Sequence, residues 1–286
     1  MNSQKQIQLK IKPLVILLFT PVILTIFKYY GSEEFFSRFI SPSNGAANQY
    51  FYFISSFVLL GLIPLLIWIF GFKLNLSSLG LSLGDYKKSL WFIAIGLPLM
   101  ALLAYLSSKN PAFRIEYPLF RGLLTEQNSL PVYFAIYGLY YIGWETFFRG
   151  FMLFGLADDY GKNASILIQT IPSCLMHIGK PDAEIFASIL AGIVFGWIVL
   201  RCRSIWPIFI CHWGLGVFLD IFIIYGWYQK TIEQAQVYRH YLFDILPFYV
   251  DYYIIIRRQI ARAVVYIIDI FWMFRLYYNM YIPETI

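Results

Sequence analysis

The sequence predicts an all-α membrane protein, a bundle of seven to eight transmembrane helices around an internal polar cavity. Hydrophobic residues make up 59% of its 286 residues and charged residues only 13%, far from the composition of soluble domains. Apolar runs of membrane-spanning length recur along the chain, with Lys and Arg at their ends. One run contains both Glu145 and Arg149, which in a membrane must face other helices or a wet cavity.

Seven apolar runs are predicted to span the membrane, and they cover approximately residues 13–27, 51–72, 90–106, 131–157, 163–178, 184–200 and 204–227. Lysines before the first run indicate a cytoplasmic N-terminus, and the basic residues of 73–88 and 201–203 then fall on the same side. No small-residue cleavage site follows the first run closely, so we expect a retained helix and not a removed signal peptide.

Three regions follow from these runs. Residues 1–130 are predicted to form N-terminal transmembrane helices and loops, and residues 131–227 a core that carries the polar site. In residues 228–286, charged residues interrupt every apolar run, which predicts interfacial or partly membrane-spanning helices, with an eighth tilted span near 261–278 as an alternative. Gly192 and Gly196, four residues apart in the sixth run, predict a close approach of another helix.

Composition and cysteine spacing argue against several classes of protein. The net charge of +6 comes from residues scattered at the ends of apolar runs, so a nucleic-acid partner is not expected, whereas the lipid bilayer is. Cys174, Cys202 and Cys211 are spaced neither as a disulfide framework nor as a zinc cluster, so we expect packing residues. The sequence does not predict an oligomeric state.

Four ionisable residues in three of the predicted spans form the candidate site, namely Glu145, Arg149, His177 and His212. Glu145 and Arg149 are separated by one helical turn and can pair on one helix face. At 1.5 Å per residue, His212 lies about 12 Å, Glu145 about 16 Å and His177 about 21 Å from the cytoplasmic ends of their spans. Because helix ends are uncertain by several residues, these depths agree, and the four side chains can meet at one level.

This constellation favours hydrolysis. A carboxylate beside a neutral imidazole can take a proton from water, and a second imidazole or a guanidinium can stabilise an oxyanion. Glu145, His177 and His212 would also make a three-ligand set for a divalent metal such as Zn²⁺, although the HExxH spacing is absent. Taken singly, the Glu145–Arg149 pair would serve equally as a structural ion pair, and each histidine as a packing residue.

Three ordered blocks within about residues 131–224 resemble the CPBP family of intramembrane proteases. The blocks are WETFFRG, the apolar helix that ends in MHIGKP, and SIWPIFICHWG. The family includes type II CAAX prenyl endopeptidases and bacteriocin-processing or self-immunity (Abi-like) proteins. The resemblance implies an all-α bundle of about eight membrane helices with a polar site in an internal cavity. It also implies endoproteolysis by water that a Glu and a His activate, with a further His and an Asn at the oxyanion.

The chain departs from the family pattern at three positions. Trp144 stands where the family has the first of two adjacent glutamates, so Glu145 corresponds to the second. Ser173 replaces a Phe, and Gly216 stands four residues after His212 where an Asn is usual. The water-activating acid is therefore either Glu145 or Glu184 of the next helix, or the protein is no longer a protease.

The sequence thus predicts an intramembrane endopeptidase that hydrolyses a membrane-associated peptide or lipidated protein. Glu145 and His177 would activate water, Arg149 would orient the acid and His212 would stabilise the oxyanion, with Glu184 and Trp144 in supporting positions. No cofactor is required on this interpretation, with the divalent metal as an alternative. A catalytically inactive scaffold or immunity protein of the same fold is the alternative function. The expected location is the bacterial cytoplasmic membrane.

Overall fold

The computed structural model describes residues 10–42, 45–124 and 130–244, with side chains described to residue 226. The chain divides into two compact units, Met1–Trp227 and Tyr228–Ile286. All regular structure in the described residues is helical, as the all-α prediction requires. The predicted eighth span near 261–278 falls outside the described residues. The division into residues 1–130, 131–227 and 228–286 stays a prediction.

The described residues contain nine helices and two short 3₁₀ turns. The helices are α1 (Ile11–Tyr30), α2 (Glu33–Phe39), α3 (Ala46–Gly71), α4 (Tyr86–Ser107), α5 (Pro111–Glu116), α6 (Leu130–Glu145, Thr146–Phe154 and Gly155–Tyr160 in succession), α7 (Lys162–Leu175), α8 (Asp182–Cys202) and α9 (Trp206–Asp244). The 3₁₀ turns are Leu76–Leu79 and Arg121–Leu124.

Among the described residues, five helices are long and apolar enough to cross a membrane, so the protein is an integral membrane protein. They are α1, α3, α4, α8 and the Trp206–Gly226 part of α9, and each matches a predicted span. The other two predicted spans correspond to α6, which a π-helical segment interrupts, and to α7, which has only 14 residues. The count of seven to eight spans stays a prediction.

Two close helix contacts place α6 and α8 against their neighbours. A Cβ at Gly143 of α6 would lie 2.4 Å from the carbonyl oxygen of Ser56 in α3, so only glycine allows the two backbones to touch there. A Cβ at Gly192 of α8 would lie 2.7 Å from Thr170 of α7, which confirms the close approach that the Gly192–Gly196 spacing predicts. These contacts set the positions of the helices that carry the polar residues.

The helix that carries Glu145 is the most buried part of the protein that the structure describes. Phe147, Phe148 and Phe151 are completely buried and pack with Trp68 of α3 in one hydrophobic cluster. The segment Thr146–Phe154 is π-helical, and such wide turns occur often at functional sites. A rigid apolar wall therefore surrounds the residue where the α-helical part of α6 ends, which is Glu145.

Candidate active site

Glu145 and Arg149 form the ion pair that their spacing predicts. Arg149 Nε lies 3.3 Å from Glu145 Oε2, and the side chains are 2% and 0% exposed. The guanidinium also lies over the ring of Phe195 in α8, with Cζ 5.6 Å from the ring centroid. A pair buried to this degree costs desolvation free energy, so it depends on good geometry and on further partners.

His212 of α9 is the second partner of Glu145. Its Nδ1 lies 2.6 Å from Glu145 Oε1. A carboxylate oxygen accepts hydrogen bonds, so Nδ1 donates and Nε2 is left as the acceptor of the neutral ring. The ring packs between Tyr141 and Phe195, at centroid distances of 4.6 and 5.7 Å. The acid and the two rings therefore fix both the tautomer and the orientation of His212.

His177 lies in a turn and not in a helix. The predicted fifth span continues to residue 178, but α7 ends at Leu175, where the chain turns toward Gly179 at φ +100°. His177 Nδ1 lies 2.7 Å from the backbone oxygen of Ser173, a pure acceptor, so this ring too has Nε2 as its acceptor. Its ring meets that of Trp144 edge to face at 5.4 Å.

Glu184 is a carboxylate near the start of α8. Its Oε1 accepts a hydrogen bond of 2.8 Å from the Tyr117 hydroxyl, which follows α5 in the chain. The other oxygen, Oε2, is buried and has no hydrogen-bond partner among the described residues. The indole nitrogen of Trp144 is buried without a partner in the same way. Buried polar atoms are normally hydrogen-bonded, so an unpaired acceptor and an unpaired donor here call for an explanation.

A small enclosed cavity joins these side chains. Its volume is about 50 Å³, enough for a water molecule that polar groups hold. Its lining includes His177, His212, Glu184, Trp144, Lys180 and Tyr141. Glu145 is not part of the lining. The ammonium group of Lys180 forms an ion pair with Glu116.

A larger cavity of about 590 Å³ shares Leu119 with this small one. Its wall includes Glu33 of α2, whose Oε1 lies 2.8 Å from the donating amide of Gln49. Burial raises the pKa of Glu33 to about 7, and the charge of Glu34 adds to this effect. A polar outer cavity therefore lies directly beside the enclosed inner one.

The structure thus brings the sequence-predicted residues together in two groups. His177, His212, Glu184 and Trp144 line the inner cavity, whereas Glu145 and Arg149 lie behind His212. Glu145 is bonded to His212 and not to His177. Sequence reasoning missed Tyr117 and Tyr141; the spacing of Tyr137 and Tyr141 by one helical turn was the only available signal.

The structure contains no preformed cluster of metal ligands in the described part of the chain. No group of three His, Cys, Asp or Glu side chains in it is placed to hold a metal ion. Glu145 Oε1 and Oε2 face His212 and Arg149, so that carboxylate is already committed to other partners. Of the three cysteines, Cys202 and Cys211 are buried, and all three are free thiols.

One comparison with known proteins gives a match. Residues 118–218 match the family model described as type II CAAX prenyl endopeptidase Rce1-like. No curated protein and no solved structure matches the chain. The matched segment runs from just after Tyr117 to the first third of α9, so it contains Trp144, Glu145, His177, Glu184 and His212. Over residues 118–218, the chain is therefore similar to the Rce1-like type II CAAX prenyl endopeptidases.

Proposed function

We propose that this protein is an intramembrane endopeptidase that cleaves a membrane-associated peptide or a lipidated protein. The observation that carries the proposal is the enclosed cavity, in which two imidazoles with anchored Nδ1 atoms meet a carboxylate. The family match over residues 118–218 supports a CAAX-protease-type reaction. The family description suggests a substrate with a prenylated Cys near its C-terminus, within the C-a-a-X pattern.

Glu184 and His177 are the groups that we assign to water activation. Glu184 is the carboxylate on the inner cavity, since Trp144 supplies no acid and Glu145, which does not line the cavity, is hydrogen-bonded to His212 and ion-paired with Arg149. A water in the cavity would lose a proton to Glu184 or to His177 Nε2 as its oxygen attacks the scissile carbonyl carbon. The bound proton then passes to the leaving amine as the carbon–nitrogen bond breaks, which yields an acid and an amine.

Glu145 and Arg149 are positioning residues on this proposal. The Glu145 carboxylate holds Nδ1–H of His212, and Arg149 neutralises that carboxylate. His212 can then share, at Nε2, the proton that the attacking water releases while the negative charge of the intermediate develops beside it. We therefore assign to Glu184 the role of base that the sequence predicts for Glu145. His177, His212 and Arg149 remain members of the proposed site.

The test uses the full chain purified and reconstituted in liposomes, with a farnesylated peptide that ends in the C-a-a-X pattern as probe. Wild-type protein should release a product that mass spectrometry identifies, and Glu184→Gln and His177→Ala should each lower kcat by about 100-fold or more. Asp182→Asn is the matched control, because Asp182 is an exposed acid in the same helix turn. Full activity of both site variants would refute the assignment of the site.

A second experiment, with a chelator, tests whether the reaction requires a metal cofactor. We propose that no metal is required, so dialysis against a chelator should leave the rate unchanged. Loss of activity that added Zn²⁺ restores would instead support the alternative ligand set of Glu145, His177 and His212.

A catalytically inactive scaffold or immunity protein is the second candidate, and Trp144 is the observation that favours it. Its indole is 3% exposed and packs against His177 where the resemblance places an acid. On that alternative no peptide is cleaved, and Glu184→Gln has no effect on any function. The bacterial cytoplasmic membrane with a cytoplasmic N-terminus stays part of our proposal, which the lysines before α1 support.

A further inference from the structure

The wall of the inner cavity between α6 and α9 is made by tyrosine hydroxyls. Tyr137 and Tyr141 of α6 both line the cavity, and their hydroxyl oxygens lie 3.0 Å apart. The ring of Tyr141 also packs edge to face on His212 at 4.6 Å. Tyr141 therefore contacts the imidazole that Glu145 orients and lines the same cavity.

Gly216 of α9 is the reason that a phenol fits at this place. A Cβ at Gly216 would lie 2.4 Å from the Tyr141 hydroxyl oxygen and 3.0 Å from that of Tyr137. Real Cβ atoms essentially never come so close, so any side chain at residue 216 would displace Tyr141. The Tyr141 hydroxyl thus occupies the space that a side chain at residue 216 would fill. Residue 216 lies one turn along α9 from His212.

The hydroxyl groups of Tyr137 and Tyr141 carry two hydrogens, and the hydrogen bond between them uses only one. Each phenol is protonated at neutral pH and carries one O–H donor. Tyr141 donates to Tyr137 at 3.0 Å. Because a hydroxyl hydrogen turns about its C–O bond, the two roles can exchange, and the hydrogen of Tyr141 is then available to a third group. Asp220, which accepts from Tyr133 at 3.3 Å, lies further along the same helix interface and does not line the cavity.

We propose that the Tyr141 hydroxyl is a catalytic hydrogen-bond donor that stabilises the oxyanion beside His212, in the space that Gly216 leaves open. This inference rests on the proposed endopeptidase function. A fixed donor aimed at developing negative charge in an enclosed site contributes strongly to rate, because it needs no reorganisation during the reaction. His212 supplies the second donor when its Nε2 shares the proton that the attacking water releases.

Tyr141→Phe keeps the ring and removes only the hydroxyl. With the farnesylated peptide as probe, we expect kcat to fall about 100- to 1000-fold while KM changes by less than about threefold. Tyr133→Phe is the matched control, since Tyr133 is a buried tyrosine of the same helix that does not line the cavity, and its kcat should stay within about threefold of wild type. A Tyr141→Phe enzyme with more than a third of the wild-type kcat would overturn the proposal.

A rescue experiment separates a donor role from a structural one. Gly216→Asn alone should destabilise the protein, because its Cβ meets the Tyr141 hydroxyl. In the Tyr141→Phe background that oxygen is gone, so the Asn amide can take its place, and kcat should rise at least tenfold above that of Tyr141→Phe alone. A double variant that folds as well as wild type and shows no such gain would refute the donor role.

The outcome for the wild type separates the two proposals. An inactive wild-type protein removes the endopeptidase function and this inference together. An active wild-type protein, with unchanged activity in Tyr141→Phe, removes only the inference.

Discussion

Substitutions in the buried Glu145–Arg149 ion pair best distinguish a structural role from a catalytic one. In Glu145→Gln, the charge that compensates Arg149 disappears, while the guanidinium stays 2% exposed. Removing one partner of a buried pair typically costs about 3–5 kcal/mol, because the other charge is left uncompensated. The amide oxygen still accepts from His212 Nδ1, but the new NH₂ group then faces Arg149, and two donors repel. We expect a loss of about 3–5 kcal/mol in the free energy of unfolding, or two to four powers of ten in the folding equilibrium.

Glu184→Gln is the matched comparison for this substitution. Its amide oxygen can still accept from Tyr117, and the changed oxygen, Oε2, has no hydrogen-bond partner among the described residues. We therefore expect a loss of no more than about 1.5 kcal/mol. The two glutamine variants should show opposite patterns, with stability lost in Glu145→Gln and turnover lost with stability kept in Glu184→Gln.

The assay is reversible unfolding in mixed micelles, followed by tryptophan fluorescence as the fraction of denaturing detergent rises. A double-mutant cycle with Arg149→Met completes it, because removing both charges should cost at least about 1.5 kcal/mol less than the sum of the single losses. Additive losses, or a Glu145→Gln loss below about 1 kcal/mol, would refute the reasoning that Arg149 depends on Glu145.

Two further predictions concern the fold and the outer cavity. Gly143→Ala should lower the free energy of unfolding by about 1–3 kcal/mol, because its Cβ would lie 2.4 Å from the Ser56 carbonyl oxygen. Gly226→Ala is the control, since Gly226 has open space around it. Equal losses of stability for the two variants in a thermal unfolding assay would contradict the close contact at Gly143. For Glu33, burial raises the pKa from 4.5 to about 7, so the folded protein keeps a proton that the unfolded chain loses. Stability should therefore fall as pH rises from about 4.5 to 7, by about 1–2 kcal/mol after solvent screening, and unfolding midpoints of Glu33→Gln should lack this decline.

The sequence predicts the helices of this fold well, because each apolar run must close its backbone hydrogen bonds inside the membrane. It also predicts the Glu145–Arg149 pair, since one helical turn separates the two residues and the structure brings them within 3.3 Å. The wide π-helical turns of Thr146–Phe154 were not predictable from apolar periodicity, because apolar residues dominate the segment at either helical pitch. The end of α7 at Leu175 was missed for the same reason, as apolar residues continue past it.

The partners within the site were harder to predict than its members. Rise per residue gives the depth of a side chain in the bilayer, but it does not give its direction around the helix axis. The depth estimates therefore placed Glu145, His177 and His212 near one another, without showing that Glu145 bonds His212 and that His177 meets His212 only across the cavity. The Tyr117–Glu184 hydrogen bond joins residues 67 positions apart, and one of them lies in a loop with no periodic pattern.

The location of Arg149 on the same helix as Glu145 bears on how this chain enters the bilayer during synthesis. The other partner of Glu145, His212, lies 67 residues further along the chain. A lone carboxylate in a nascent segment would oppose insertion by about 2.5–3.5 kcal/mol. Since Arg149 lies in the same segment, the ion pair can form within α6 before α9 is synthesised, and the imidazole of His212 then joins a pair that already exists.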